Sequence, residues 1–132
     1  MSDLHVAIKA RLRAHTGLSA LVSTRSHAID APQGETLPYV VFEQVDGSPL
    51  ETMSGTDPLN VAAISVAAVG ATSASALAVA DQVNAALEGY AGTSGGIVVQ
   101  RIWRTGRRDN GLDAETRTFE VELEYRVWYE EA

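Results

Sequence analysis

Over residues 117–131 apolar and polar positions alternate almost without a break. Phe119, Val121, Leu123, Tyr125, Val127 and Tyr129 form one set, and Thr118, Glu120, Glu122, Glu124, Arg126 and Trp128 the other. Successive side chains of a strand point to opposite faces, so the segment predicts one long strand with a buried face and a wet, acidic one. Two further β-rich runs, YVVFEQV from Tyr39 and NVAAISVAAV from Asn60, flank the turn signals Asp46-Gly47 and Ser54-Gly55. They predict a hairpin whose connection, DGSPLETMSGTDPL, is long and mobile. Another strand is predicted over IVVQRIWR from Ile97, after a flexible GYAGTSGG and before a second long polar loop, TGRRDNGLDAE.

Helical spacing governs the rest. Over residues 3–15, Leu4, Ile8 and Leu12 recur every four residues with Ala7 and Ala10 beside that line, while Lys9, Arg11 and Arg13 lie away from it. The pattern predicts an amphipathic helix, N-capped by Ser2 or Asp3 and stopped at Gly17, with LSALVS adding a short second helical turn. Over residues 73–88 the chain is Ala-rich, with Ala76, Ala80, Val83 and Leu87 on one face and Asp81, Gln82 and Asn84 off it. Thr72 or Ser73 serves as N-cap and Gly89 as stop. The two prolines and the glycine of DAPQGETLP mark a connector. The order helix, strand, strand, helix, strand, strand predicts an α+β fold: an antiparallel sheet of about four main strands built from two hairpins, with helices packed on one face. The length of 132 residues with 45% apolar content suits one domain, 1–132.

The last hairpin has two possible registers. If Trp103 lies beside Phe119, then Ile97, Val99 and Trp103 join the core, but Arg101 points there too, at several kcal/mol unless it is paired or reaches solvent. If Arg101 lies opposite Glu120, the charges pair for roughly 0.2–1 kcal/mol, and Trp103, Val99 and Ile97 come out on the acidic face.

Composition narrows the function. No cysteine is present, which removes disulfides, thiolate zinc sites and thiol nucleophiles. The formal net charge of −7 and the single lysine argue against a module that grips phosphates. The charged N-terminus is no secretory signal, and the apolar run VAAISVAAV is too short to span a bilayer, so a soluble protein without a membrane partner is expected.

Candidate chemistry is sparse. His5, His15 and His27 lack the spacing of a helical metal site, and neither metal nor cofactor is predicted. GTSGG follows a helix and enters a strand, the reverse of a phosphate cradle, and no serine sits in a nucleophile elbow. Glu120, Glu122 and Glu124 stand about 6.5–7 Å apart along a strand, but acid and base roles need unlike environments and a pocket, so a solvated or partner-facing surface explains them with fewer assumptions. Arg104, Arg107 and Arg108 form a basic cluster beside Asp109, Asp113 and Glu115. It reads either as a solvated loop or as one half of a charge-complementary contact with a neighbouring subunit.

Taken together, LSALV, APQGETLPYVVFEQV, the Ala-rich ALAVADQVNAAL and the closing FEVELEYRVWY resemble the tail completion or tail terminator family of tailed bacteriophages and gene transfer agents. Residues 31–34, Ala-Pro-Gln-Gly, with Leu37-Pro38-Tyr39-Val40-Val41 after them carry most of the likeness, and Arg126-Val127-Trp128-Tyr129 supports it. The resemblance implies a non-enzymatic virion subunit, made in the bacterial cytoplasm and placed at the head–tail junction. Such subunits form a hexameric ring that ends tube polymerisation and meets the tail tube protein and a head connector or stopper. DNA passes through without specific binding. Glu120, Glu122 and Glu124 are then expected to face the ring lumen or the arginine-bearing segment of the adjacent subunit. VAAISVAAV is poorer in bulky residues than this family leads one to expect. Two alternatives stay open: another junction protein, or a small enzyme or ligand-binding domain, which a deep pocket with convergent polar groups would reveal.

Overall fold

The computed structural model describes residues 3–29, 34–52, 55–94 and 96–131. In chain order the elements are α1 (Asp3–Ala14), α2 (Thr16–Val22), β1 (Ser26–Ala28), β2 (Tyr39–Thr52), β3 (Gly55–Gly70), α3 (Ser73–Leu87), β4 (Gly92–Ser94), β5 (Ile97–Asp113) and β6 (Thr118–Glu131). The six strands form one sheet in the order β1-β2-β3-β6-β5-β4. The α+β class stands, while the order helix, strand, strand, helix, strand, strand differs in detail, because α2 and β1 precede β2 and β4 precedes β5. The sheet is larger than the four strands expected, because β1 adds in parallel to β2 and β4 adds antiparallel to β5.

The core lies between the sheet and the helices. Alternation puts Val40 and Phe42 of β2, Ala62, Ile64, Val66 and Ala68 of β3, and Val121, Leu123, Tyr125 and Val127 of β6 on the helical side, all buried. Leu4, Ala7, Ile8 and Leu12 of α1 and Ala76, Val79, Ala80, Val83, Ala86 and Leu87 of α3 close the same core. The small residues of β3 have a packing reason. β3 and β6 are the central strands, and α3 meets them with a largely Ala and Val face, so small residues on both sides let helix and sheet approach closely. Gly70 shows how close: a Cβ there would stand 2.7 Å from the backbone nitrogen of Ala76.

Local signals set the helix ends. The Thr72 hydroxyl accepts from the Ser75 N–H at 3.1 Å, and Gly89 takes a positive φ of 76° just beyond α3. Gly17 is no stop, since it lies inside α2; α1 ends at Ala14 and His15 precedes the next helix. A Cβ on Gly17 would meet the end of the Gln82 side chain, which marks where α2 lies against α3. Ser2, one of the two expected caps of α1, lies outside the described residues, and Asp3 is the first helical residue.

Three expected loops are strands instead. DGSPLETMSGTDPL continues β2 to Thr52 and resumes as β3 at Gly55. TGRRDNGLDAE is β5 as far as Asp113, leaving a turn of four residues before β6. GYAGTSGG contributes β4. Polar composition misled here because an edge strand is wet and carries no apolar alternation.

Neither expected register of the last hairpin occurs. Trp103 pairs with Arg126 and Arg101 with Trp128, while Phe119 faces Leu112 and Glu120 faces Gly111. An irregularity between Val99 and Arg101 inserts Gln100 and switches the alternation. Ile97 and Val99 before it and Ile102 after it are therefore all buried, while Arg101 remains exposed.

Candidate functional site

The helices cover one face of the sheet, and the other is open. On β6 that open face carries Glu120, Glu122, Glu124, Arg126 and Trp128, the polar set read from the sequence. Cross-strand pairing extends it: Glu124 faces Ser65, which faces Glu43, and Glu122 faces Ala67, which faces Val41. Here a shallow cavity of about 620 Å³ has Tyr39, Val41, Ala67 and Val69 along its floor and Glu35, Glu43, Glu120 and Glu122 around it. No lysine, arginine or histidine is among its described lining residues. Four carboxylates without a lining cation make a surface that repels polyanions.

Glu35 reached this place from the connector, which no periodicity could have shown. Its carboxylate bonds the His27 ring and accepts from the Thr36 N–H at 2.9 Å, and these contacts, led by that of His27, hold its pKa below the ordinary carboxylate value. Glu43 was legible in principle, since it alternates with the buried Val40 and Phe42 only after the strand phase is known. Asn110 donates to Glu120 at 2.5 Å, which orients that carboxylate at the sheet's far side.

The arginine cluster is split by the sheet, not gathered in a loop. Arg104 and Arg107 stand opposite Tyr125 and Leu123, both helix-facing residues, and Arg108 stands opposite Glu122 on the open face. Arg107 forms ion pairs with Asp81 of α3 at 3.8 Å and with Asp109 at 3.3 Å. The Arg104 backbone N–H donates to Glu88 at 2.5 Å. The Arg107 pairs neutralise part of the positive charge within the subunit.

Farther along the open face the chemistry changes. Trp103 and Trp128 pack with ring centroids 5.8 Å apart, Arg101 lies over the Trp103 ring at 5.7 Å, and Arg126 is exposed beside them. Trp128 Nε1 is buried with no hydrogen-bond partner among the described residues, a state that costs about 1–3 kcal/mol. Tryptophan and arginine are enriched where protein surfaces meet. The sequence placed Trp128 and Arg126 on this face; the switch at Gln100 brought Trp103 and Arg101 to it.

The histidines serve structure. His15 Nε2 and Gln82 Oε1 are 3.2 Å apart and tie the helices together, and His5 packs 6.0 Å from Phe42. Burial lowers the pKa of His5 below its ordinary value. Among the described residues no three His, Asp or Glu side chains gather to hold a metal ion, and no helix is long and apolar enough to cross a membrane.

Comparisons with known proteins bear on the fold and the family. No curated protein matches the sequence. A chain described as "Virion of native gene transfer agent (GTA) particle" has the same fold, with a TM-score of 0.80 over 96% of this chain and 94% of that one at 23% identity. A second solved chain superposes with a TM-score of 0.53 over 96% of each at 21% identity. The model of the family Tail completion protein gp17 matches residues 6–130. The chain therefore belongs to the tail completion protein family, and it is a structural virion protein, not an enzyme.

Proposed function

We propose that this protein caps the head-proximal end of the tail tube as a ring of six copies, ends tube polymerisation and presents the surface on which the head is joined. The observation that carries this reading is the sheet with one face covered by helices and the other open and acidic. A subunit of this kind turns its helical layer outward and its open sheet inward, and Glu120, Glu122 and Glu124 then line the lumen together with Glu43. Fixed negative charge along that wall keeps passing DNA from adhering, because each contact with the polyanion is repulsive. Arg104, Arg107 and Arg108, at the sheet's edge, belong to the contact between subunits, where charge sets register and orientation more than affinity. The tube protein and a head connector or stopper occupy the two rims of the ring. The protein is made in the bacterial cytoplasm and ends at the head–tail junction.

The test is negative-stain electron microscopy of particles from cells lacking the gene. Tails of excessive length, or tails unjoined to heads, are the expected result. Tails of normal length joined to filled heads would refute the role, and long tubes formed by the purified protein alone would make it a tube subunit instead.

A further inference from the structure

We infer that copies of this chain join edge to edge, strand β5 of one copy adding to strand β2 of the next; the inference rests on the ring proposed above. The short strands β1 and β4 cap the two edges of the sheet over three residues each, β1 against residues 40–42 of β2 and β4 against residues 97–99 of β5. Beyond those caps no described strand pairs with the outer side of residues 43–52 or 105–113. Rows of unpaired backbone N–H and C=O groups of this length are templates for another chain.

The two open stretches fit one another in direction and level. Three successive antiparallel pairings separate β2 from β5, so the strands run opposite ways and the β2 of a next copy continues the alternation. Across the sheet Val40 is level with Asp109 through Ala68 and Val121, and Pro49 is level with Val99 through Asn60 and Tyr129. Each edge is thus capped at the level where the other is open. The edges meet only with a stagger along the strands, and stagger with tilt is how a sheet closes on itself.

Irregularity and charge narrow the choice of partner. On β2 the pairing shifts at Gln44/Asp46 and at Pro49/Glu51, and on β5 at Arg104/Gly106 and at Asp109/Gly111. Each open stretch therefore holds four regularly paired residues between two bulges, 46–49 and 106–109. Bulges twist an edge and hinder its pairing with an arbitrary flat strand, so only a similarly twisted partner fits. On the open face Arg108 of β5 and Glu43 of β2 are exposed and make no ion pair among the described residues. Arg108 against Glu43 joins opposite charges on that face, which favours β5 against β2. Among the described side chains, Val45 on one stretch is 58% exposed and Leu112 on the other 46%. A patch that meets a different patch makes a heterologous contact, the kind that closes rings.

The absence of native cysteine makes the test clean. Particles are prepared with Glu43→Cys plus Arg108→Cys, and separately with Val45→Cys plus Leu112→Cys, then treated with a short bismaleimide and denatured. The monomer band should be lost to a ladder of multiples in at least one double variant, while each single variant stays monomeric. Dimers from a single variant would mean that like edges meet, and monomer alone from both double variants, in particles that contain the protein, would mean that neither edge is used; either result overturns the inference. Rings visible in particles that do not cross-link would keep the ring and discard edge pairing. Normal, joined tails in the absence of the gene would discard the ring itself.

Discussion

Leu123 and Glu124 are neighbours on β6, yet one is fully buried and the other exposed. The same holds along β3, where Ala62, Ile64, Val66 and Ala68 are buried and Ala63, Ser65 and Ala67 between them are not. The strands are shared; only the helical layer differs. The covered face supplies the cohesion of the subunit, since apolar area removed from water contributes about 25 cal/mol per Å². The open face gains little from burial within one subunit and is free to carry charge and aromatic groups that a core would exclude. On the role proposed above, the covered side serves stability and the open side the passage of DNA, so substitutions on the two sides should read out in different experiments.

Leu123→Ala puts the largest strain on that division. It removes a fully buried side chain between α3 and the central strands, and urea unfolding should show a loss of about 2–5 kcal/mol. A loss below about 1 kcal/mol would mean that the covered face is not the core.

Tyr125→Phe should cost less, about 1–2 kcal/mol by the same measurement. The Tyr125 hydroxyl donates to Asn84 Oδ1 at 3.0 Å, and its removal leaves that oxygen short of a donor. Burial also drives the phenol pKa well above its ordinary value, so the residue stays a neutral donor across the usual pH range.

A smaller effect follows from pH. Burial depresses the pKa of His5 in the folded chain, so just below the ordinary histidine value the unfolded chain binds a proton that the folded one refuses. The contribution is present above that value and is lost as pH falls through it. Denaturation midpoints should therefore decline between about pH 7.5 and about pH 5.5, and His5→Gln should flatten the decline. Glu35 acts in a lower window: its depressed pKa contributes stability above the ordinary carboxylate range, lost as pH falls below it.

The smallest change in stability is expected on the open face. Glu120→Gln, Glu122→Gln and Glu124→Gln should each leave unfolding within about 0.5 kcal/mol of the parent chain, while the three together lower the yield of infectious particles. Unchanged infectivity would remove these carboxylates from any role in assembly or genome passage.

Much of this was legible along the chain. The period of two over β6 named both faces, and the period near four named the buried line of α1 and α3, because these repeats follow from local backbone geometry. The apolar run of β3 looked too small for its place until the alanine face of α3 was seen against it. The groove was half legible: Glu120 and Glu122 by alternation, Glu35 not at all, since it lies outside every helix and strand. The arginines were found as a cluster, but a strand between its bulges sent them to two faces.

The class of fold, the main buried stripes and an acidic face were written in the sequence, because each depends on residues close together along the chain. The tertiary structure decided the sheet order, the six strands, the bulge at Gln100 and the open stretches at both edges. These depend on which distant strands lie side by side, and an edge strand, wet on its outer side, leaves no apolar period by which to read it.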